Sequence, residues 1–166
     1  MPKITQKIAP CLWFDRQAEE AATFYTSLFK RSKIIQLSRY DKASAEASGM
    51  PEGTALTVVF ELEGQKFMAL NGGPIFKFTE AISFMIDCAD QKEVDFFWNS
   101  LTADGGQESQ CGWLKDKFGL SWQIVPSVLP DLLGGSDSEG AGRAMKAMLG
   151  MKKLDIAALQ EAYEGK

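Results

Sequence analysis

Apolar and polar positions follow two periods along this chain, and those periods recur in the same order twice. Residues 8–14, IAPCLWF, form a short apolar run that predicts a strand. Over residues 18–29, Ala21, Phe24, Tyr25, Leu28 and Phe29 return at three- and four-residue steps, the spacing of one buried helix face, with Asp15 placed to cap the turn before it. Residues 33–40 predict a strand. Residues 41–53, DKASAEASGMPEG, are small, polar and turn-rich and predict a loop. Residues 54–63 and 66–71 predict a hairpin around Glu63-Gly64-Gln65.

The pattern then repeats. Residues 19–28, EEAATFYTSL, align with residues 92–101, KEVDFFWNSL, at an offset of 73 (92 − 19). The alignment pairs Glu20 with Glu93, Phe24 with Phe97, Tyr25 with Trp98, Ser27 with Ser100 and Leu28 with Leu101. Residues 72–80, GGPIFKFTE, join the copies. A strand at 81–87, a helix at 91–102 closed by Gly105-Gly106, and strands at 111–115 and 120–125 around a turn at 116–119 complete the second. Beyond it the chain changes character. Pro126 and Pro130 punctuate a helical piece, residues 134–140 read as a flexible link, and Met145, Met148 and Met151 recur by three in a short stretch expected to pack on the sheet or on a partner subunit. Asp155 is placed to cap a last helix running through Tyr163.

Composition narrows the chemistry. A chain of 166 residues, 45% hydrophobic and 24% charged, has the make-up of one globular domain. A net charge of −4 offers no electrostatic footprint for nucleic acid, and the apolar runs are too short to span a bilayer. The first ten residues carry no export pattern, so a cytoplasmic location is expected. Cys11, Cys88 and Cys111 are odd in number and lack CxxC spacing, which argues against a disulfide framework or a structural zinc site. Cys11 and Cys88 lie in strand-like runs and are expected as small buried hydrophobes. Histidine is absent, which removes His-based nucleophile pairs and metal sites.

The segments NGGPIFKFTEAISF (71–84) and CGWLKDKFGLSWQIVP (111–126), with APCLWFDRQAEEAATFYTSLF in the first copy, resemble the PhnB-like family of the vicinal oxygen chelate superfamily. That superfamily holds glyoxalase I, bleomycin-resistance proteins and extradiol dioxygenases, and this branch is labelled demethylubiquinone methyltransferase-like. The resemblance implies an α+β fold of paired βαβββ modules. Module one spans about 7–71, the linker 72–80, module two 81–126 and a helical extension 127–166, all in one domain. It also implies a homodimer. Metal ligands in relatives come from the first and last strands of each module. Here those positions fall at Gln123, near Pro10 and Ser83, and near residues 68–71, while Ile75 stands where close relatives have histidine. The resemblance therefore implies no metal and no cofactor. A methyltransferase would need a glycine-rich turn opening a helix, and Gly72-Gly73 runs into Pro74 instead.

The candidate ligand-binding residues are Trp13, Asn71, Phe76, Phe78, Ser83, Trp113 and Gln123. The aromatics would wall an apolar pocket and the polar residues would anchor a ligand in it. Gln123 shares a strand face with Ser121 and Val125, while Trp122 and Ile124 take the other. Glu80 is the candidate catalytic carboxylate. The leading expectation is a small-molecule binder without demonstrated catalysis. Its alternatives are a metal-dependent lyase, isomerase or dioxygenase with an atypical site, and an interaction or structural homodimer.

Overall fold

A computed structural model describes residues 6–166, so the part of the export-signal reading that concerns residues 1–5 lies outside the described residues. The chain divides into two compact units, Met1–Lys77 and Phe78–Lys166, with the division inside the predicted linker.

The first unit runs β1 (Cys11–Phe14), α1 (Ala18–Leu28), β2 (Ser32–Arg39), α2 (Lys42–Ser48), β3 (Ala55–Leu62) and β4 (Gln65–Asn71). Its sheet has the order β1-β4-β3-β2, with β1 parallel to β4 and the other pairs antiparallel. One face is apolar and carries Leu12, Phe14, Val58, Phe60, Leu62 and Ala69 into the core. α1 packs there through Ala18, Ala21, Ala22 and Tyr25. The buried stripe thus turns toward the alanines, and Phe24 and Leu28 sit only half-buried. Small side chains let the helix approach closely enough for the Tyr25 ring to stack on Phe60 at 6.2 Å between centroids.

The loop expected at 41–53 contains helix α2. The Asp41 carboxylate accepts from the Ser44 N–H at 2.8 Å, and the Ser44 hydroxyl accepts from the Asp41 N–H at 3.0 Å. This reciprocal pair satisfies two donors that a helix start leaves open. Gly49 ends the helix in the left-handed conformation at φ 72°. Cys11 also departs from expectation: it is exposed, whereas Cys88 is buried. β1 alternates, and Leu12 and Phe14 take the core face, leaving Cys11 and Trp13 on the other.

The second unit runs β5 (Ser83–Cys88), α3 (Gln91–Thr102), a 3-10 turn (Ala103–Gly105), β6 (Gln107–Glu108), β7 (Trp113–Lys115), β8 (Ser121–Pro126), α4 (Leu129–Gly134), α5 (Ser138–Leu149) and α6 (Ile156–Glu164). Its sheet order, β5-β8-β7-β6, repeats the first, again with the first and last strands parallel. α3 starts at Asp90, whose carboxylate accepts from the Glu93 N–H at 3.0 Å. Val94, Phe97, Trp98 and Leu101 of α3 are buried, as are Ile86, Leu114, Trp122 and Ile124 of the sheet. The architecture is the expected α+β pair of βαβββ modules with a helical extension.

The extension has its own core of Leu129, Leu132, Ala144, Leu154 and Leu159. Met148 and Met151 pack against it while Met145 is 40% exposed, so the methionine stripe is split between core and surface. Two backbone bonds tie this layer to the sheet, from Cys111 N–H to the Met151 carbonyl and from Gly112 N–H to the Lys152 carbonyl, both 2.8 Å. Gly112 is required at this seam. Its φ is 82°, and a Cβ would lie 2.8 Å from the Ile124 carbonyl oxygen. α5 begins at Ser138, inside the stretch expected to be a flexible link, because Asp137 caps it with bonds from the Glu139 and Gly140 N–H groups. Asp155 caps α6 as expected, accepting from the Ala158 N–H at 3.0 Å. Among the described residues no helix is long and apolar enough to cross a membrane.

Candidate functional site

Each sheet buries one face under its own helix. The opposite face of each sheet carries the side chains that its helix does not cover.

In module one, the open face carries Cys11 and Trp13 on β1, Thr57 and Val59 on β3, and Met68 and Leu70 on β4, paired in register across the strands. Trp13 is half-buried. Its indole N–H donates to the Gly73 carbonyl at 2.9 Å, and Phe76 meets its ring edge-on at 4.9 Å. A Cβ at Gly72 would overlap the Trp13 ring, so the glycine pair lets the linker lie flat on the indole. Phe76 remains 62% exposed.

Asn71 does not reach that face. It is fully buried, and its Oδ1 accepts from the Ala18 N–H at 2.8 Å while its Nδ2 donates to the Ala55 carbonyl at 2.9 Å. Its own carbonyl accepts from the Tyr40 hydroxyl at 2.6 Å. The amide replaces the missing cap of α1, because Gln17 at the N-cap position makes no side-chain cap. Asn71, expected as a ligand anchor, has both amide atoms engaged in holding helix to sheet.

In module two, residues paired across strands share a face, and two rows result. Ser83, Ser121, Lys115 and Gln107 form one row across β5, β8, β7 and β6. Met85, Gln123 and Trp113 form the next. Gln123 is half-buried, and its amide donates to the Ser83 hydroxyl at 2.9 Å. Trp122, its neighbour on the strand, faces the core, where its indole donates to the Asp116 carboxylate at 2.9 Å. Glu80 pairs with Lys115 at 2.5 Å. That hydrogen bond, more than the lysine's charge, holds the Glu80 carboxyl below the usual carboxylate range, so near neutral pH it is an ion-pair partner and not a proton donor. Phe78 opens this unit and is half-buried.

The structure therefore joins Trp13 to Phe76, and Ser83 to Gln123 with Trp113 alongside. It engages Asn71 internally and ties Glu80 to Lys115. Lys115, Ser121 and Gln107 are members of the polar row that the candidate set omitted. Ser121 was legible as the residue two before Gln123. The other two become neighbours only through strand register.

The positions that the resemblance marks for metal ligands carry poor donors. Gln123 and Ser83 are neutral and bonded to each other, Met68 is a thioether, and Asn71 is buried away from the open face. Among the described residues no three His, Cys, Asp or Glu side chains are grouped to hold an ion. Two of the thiols sit in surroundings that disfavour the thiolate. Burial, reinforced by Glu93, Asp87 and Asp90, pushes Cys88 up to about 12, and partial burial raises Cys11 above its ordinary value.

The 3-demethylubiquinone-9 3-methyltransferase family matches this chain over residues 6–125. A PhnB protein from Bacillus cereus is 37% identical, with a TM-score of 0.66, over 74% of this chain and 100% of that one. A Pseudomonas aeruginosa protein, 17% identical with a TM-score of 0.58, matches 74% of this chain and 98% of that one. FosX, a fosfomycin resistance protein from Listeria monocytogenes solved with Mn(II) and sulfate, is 13% identical with a TM-score of 0.52 and matches 80% of this chain and 98% of that one. The last two show a shared fold and nothing finer. No curated protein matches the chain. The chain belongs to the 3-demethylubiquinone-9 3-methyltransferase family, which the PhnB-like resemblance of its sequence anticipated.

Proposed function

We propose, with that membership as premise, that the chain binds a small, partly apolar molecule on the open face of module two, without a metal centre and as a homodimer. The observation that carries this reading is the Gln123–Ser83 hydrogen bond at 2.9 Å, half-exposed beside Trp113 and Met85. A few placed polar groups among aromatic and thioether surface is the usual make-up of a small-molecule site. Met85 is 60% exposed on that face, and Ile82 just before β5 is 70% exposed, which is apolar surface in want of a cover. Trp13 and Phe76 form a second aromatic surface in module one.

The family's name does not extend the proposal to methyl transfer. The sheets described here are four-stranded and mixed, and they lack the doubly wound parallel order at whose switch point such a cofactor would sit. A metal-dependent reaction would need a stronger ligand than an amide already bonded to a hydroxyl.

The test is saturation-transfer NMR of the full chain with indole as probe. The expected result is saturable binding that Trp113→Ala weakens about tenfold. Binding that ignores both Trp113→Ala and Gln123→Ala, or no binding, overturns the proposal. Sedimentation velocity tests the homodimer, and a monomer at micromolar concentration overturns that part.

A further inference from the structure

Ser121 has an unanswered hydrogen-bonding group. It is 1% exposed, and its hydroxyl meets no hydrogen-bond partner among the described residues. Buried polar groups are as a rule paired, so each exception calls for a partner. The residue lies in the wall of a pocket of about 130 Å³ bordered by Glu80, Gln107, Trp113 and Lys115. That volume is several times the roughly 15 Å³ that a single water requires. The pocket is built on the polar row of module two, where Lys115 pairs directly with Ser121 on one side and with Gln107 on the other.

The charges around it are already matched. Lys115 is bound by Glu80 at 2.5 Å. Glu108, at the rim, accepts from the Trp98 indole at 3.0 Å and faces Lys152 at 3.5 Å. An added carboxylate would have to displace Glu80 from Lys115, and an added ammonium would meet Lys115 itself. What remains buried and unmatched is a neutral hydroxyl, able to donate one hydrogen bond and to accept others. Trp113 at the border offers an aromatic plane for the rest of the molecule.

We propose that Ser121 anchors an uncharged oxygen-bearing head group, a hydroxyl or carbonyl on a small ring, in the pocket formed with Lys115, Gln107 and Trp113. This deepens the proposed function and rests on module two being the ligand-binding face. The Glu80–Lys115 pair then acts as a charge filter at the mouth, rejecting acids and amines of the same size. Glu80 is thereby a specificity-determining residue, in place of the acid or base for which it was a candidate.

The experiment is a titration of the ¹⁵N-labelled full chain with phenol, benzoate and benzylamine, followed by amide and indole shifts. Phenol is expected to give saturable shifts at Ser121, Lys115, Gln107 and the Trp113 indole, and the other two to bind about tenfold more weakly. Ser121→Ala is expected to weaken phenol about tenfold while leaving the urea midpoint unchanged or raised, because it deletes a hydroxyl that no protein group satisfies. A lowered midpoint would assign the hydroxyl a structural role and overturn the proposal. So would benzoate binding as tightly as phenol, or phenol binding that Ser121→Ala leaves unchanged. Shifts confined to Gln123 and Ser83 would overturn this inference and leave the proposed function standing. No saturable shift with any of the three, together with no indole binding, would overturn both.

Discussion

The two modules solve one construction problem in opposite ways. Leu12 and Phe14 in β1 correspond to Ile86 and Cys88 in β5, each pair facing its own helix. Strand register then equates Asn71, opposite Phe14, with Pro126, opposite Cys88. It also equates Met68, opposite Cys11, with Gln123, opposite Met85. In module two the helix caps itself locally through Asp90, and the last strand ends in a proline that has no cap to provide. In module one the helix has no local cap, so the last strand provides one from Asn71. The lesson concerns function. The polar residue at the end of module one's last strand is committed to the fold. Module two has a proline at that position, and on the opposite face of the same strand Gln123 stands where module one has Met68. The two copies share a scaffold and differ in the polar pair on the opposite face, Ser38 with Thr57 at 2.6 Å in module one and Ser83 with Gln123 at 2.9 Å in module two.

The largest effect expected from this contrast is at Asn71. Asn71→Ala leaves the Ala18 N–H and the Ala55 carbonyl buried and unpaired, a loss of about 3 kcal/mol in urea unfolding. The matching change in module two, Asp90→Ala, should cost about 1 kcal/mol, since an exposed N-cap is partly replaced by water. Equal losses would break the comparison.

Gln123→Met makes module two resemble module one at the equivalent position. We expect stability to change by less than about 1 kcal/mol, the worth of one half-exposed hydrogen bond, while indole affinity falls. Unchanged affinity would show that the polar face of module two does not distinguish it.

The cysteines at the two first strands sharpen the contrast by exposure. Cys11 should react with a disulfide reagent in the native protein, and Cys88 should react only on unfolding. The Cys88 pKa is raised to about 12, so its contribution to stability is complete below the ordinary thiol range near 9 and is lost as pH rises from there toward 12. Alkaline unfolding should shift upward in Cys88→Ala relative to the parent protein.

The smallest effect is at the pocket mouth. Glu80 titrates below the usual carboxylate range, so the stability it adds is present above its unfolded pKa and disappears as pH falls through the folded one. Glu80→Gln should differ slightly from the parent near pH 7 and not at all in acid. Because the pair is largely solvent-exposed, salt should diminish even that difference. Benzoate binding should improve in Glu80→Gln if the ion pair is the filter.

The amino-acid sequence by itself determined the duplication, the fold class and the course of most elements. Helical and strand periods are local, and the repeat between residues 19–28 and 92–101 compares short segments. The α3 boundaries and the alternation that turns Gln123 away from Trp122 were legible for that reason. Helix α2 was missed because its seven residues, KASAEAS, carry no apolar stripe, and its evidence lies in the Asp41–Ser44 capping box. Only the tertiary structure decided which residues remain available for a ligand. Cys11 is exposed because its neighbours Leu12 and Phe14 took the core face. Asn71 is committed because its register brings it to the start of α1, 53 residues earlier in the chain. Lys115, Ser121 and Gln107 form a row because three strands pair in one register, and pairing across strands is a long-range choice that composition and spacing do not encode.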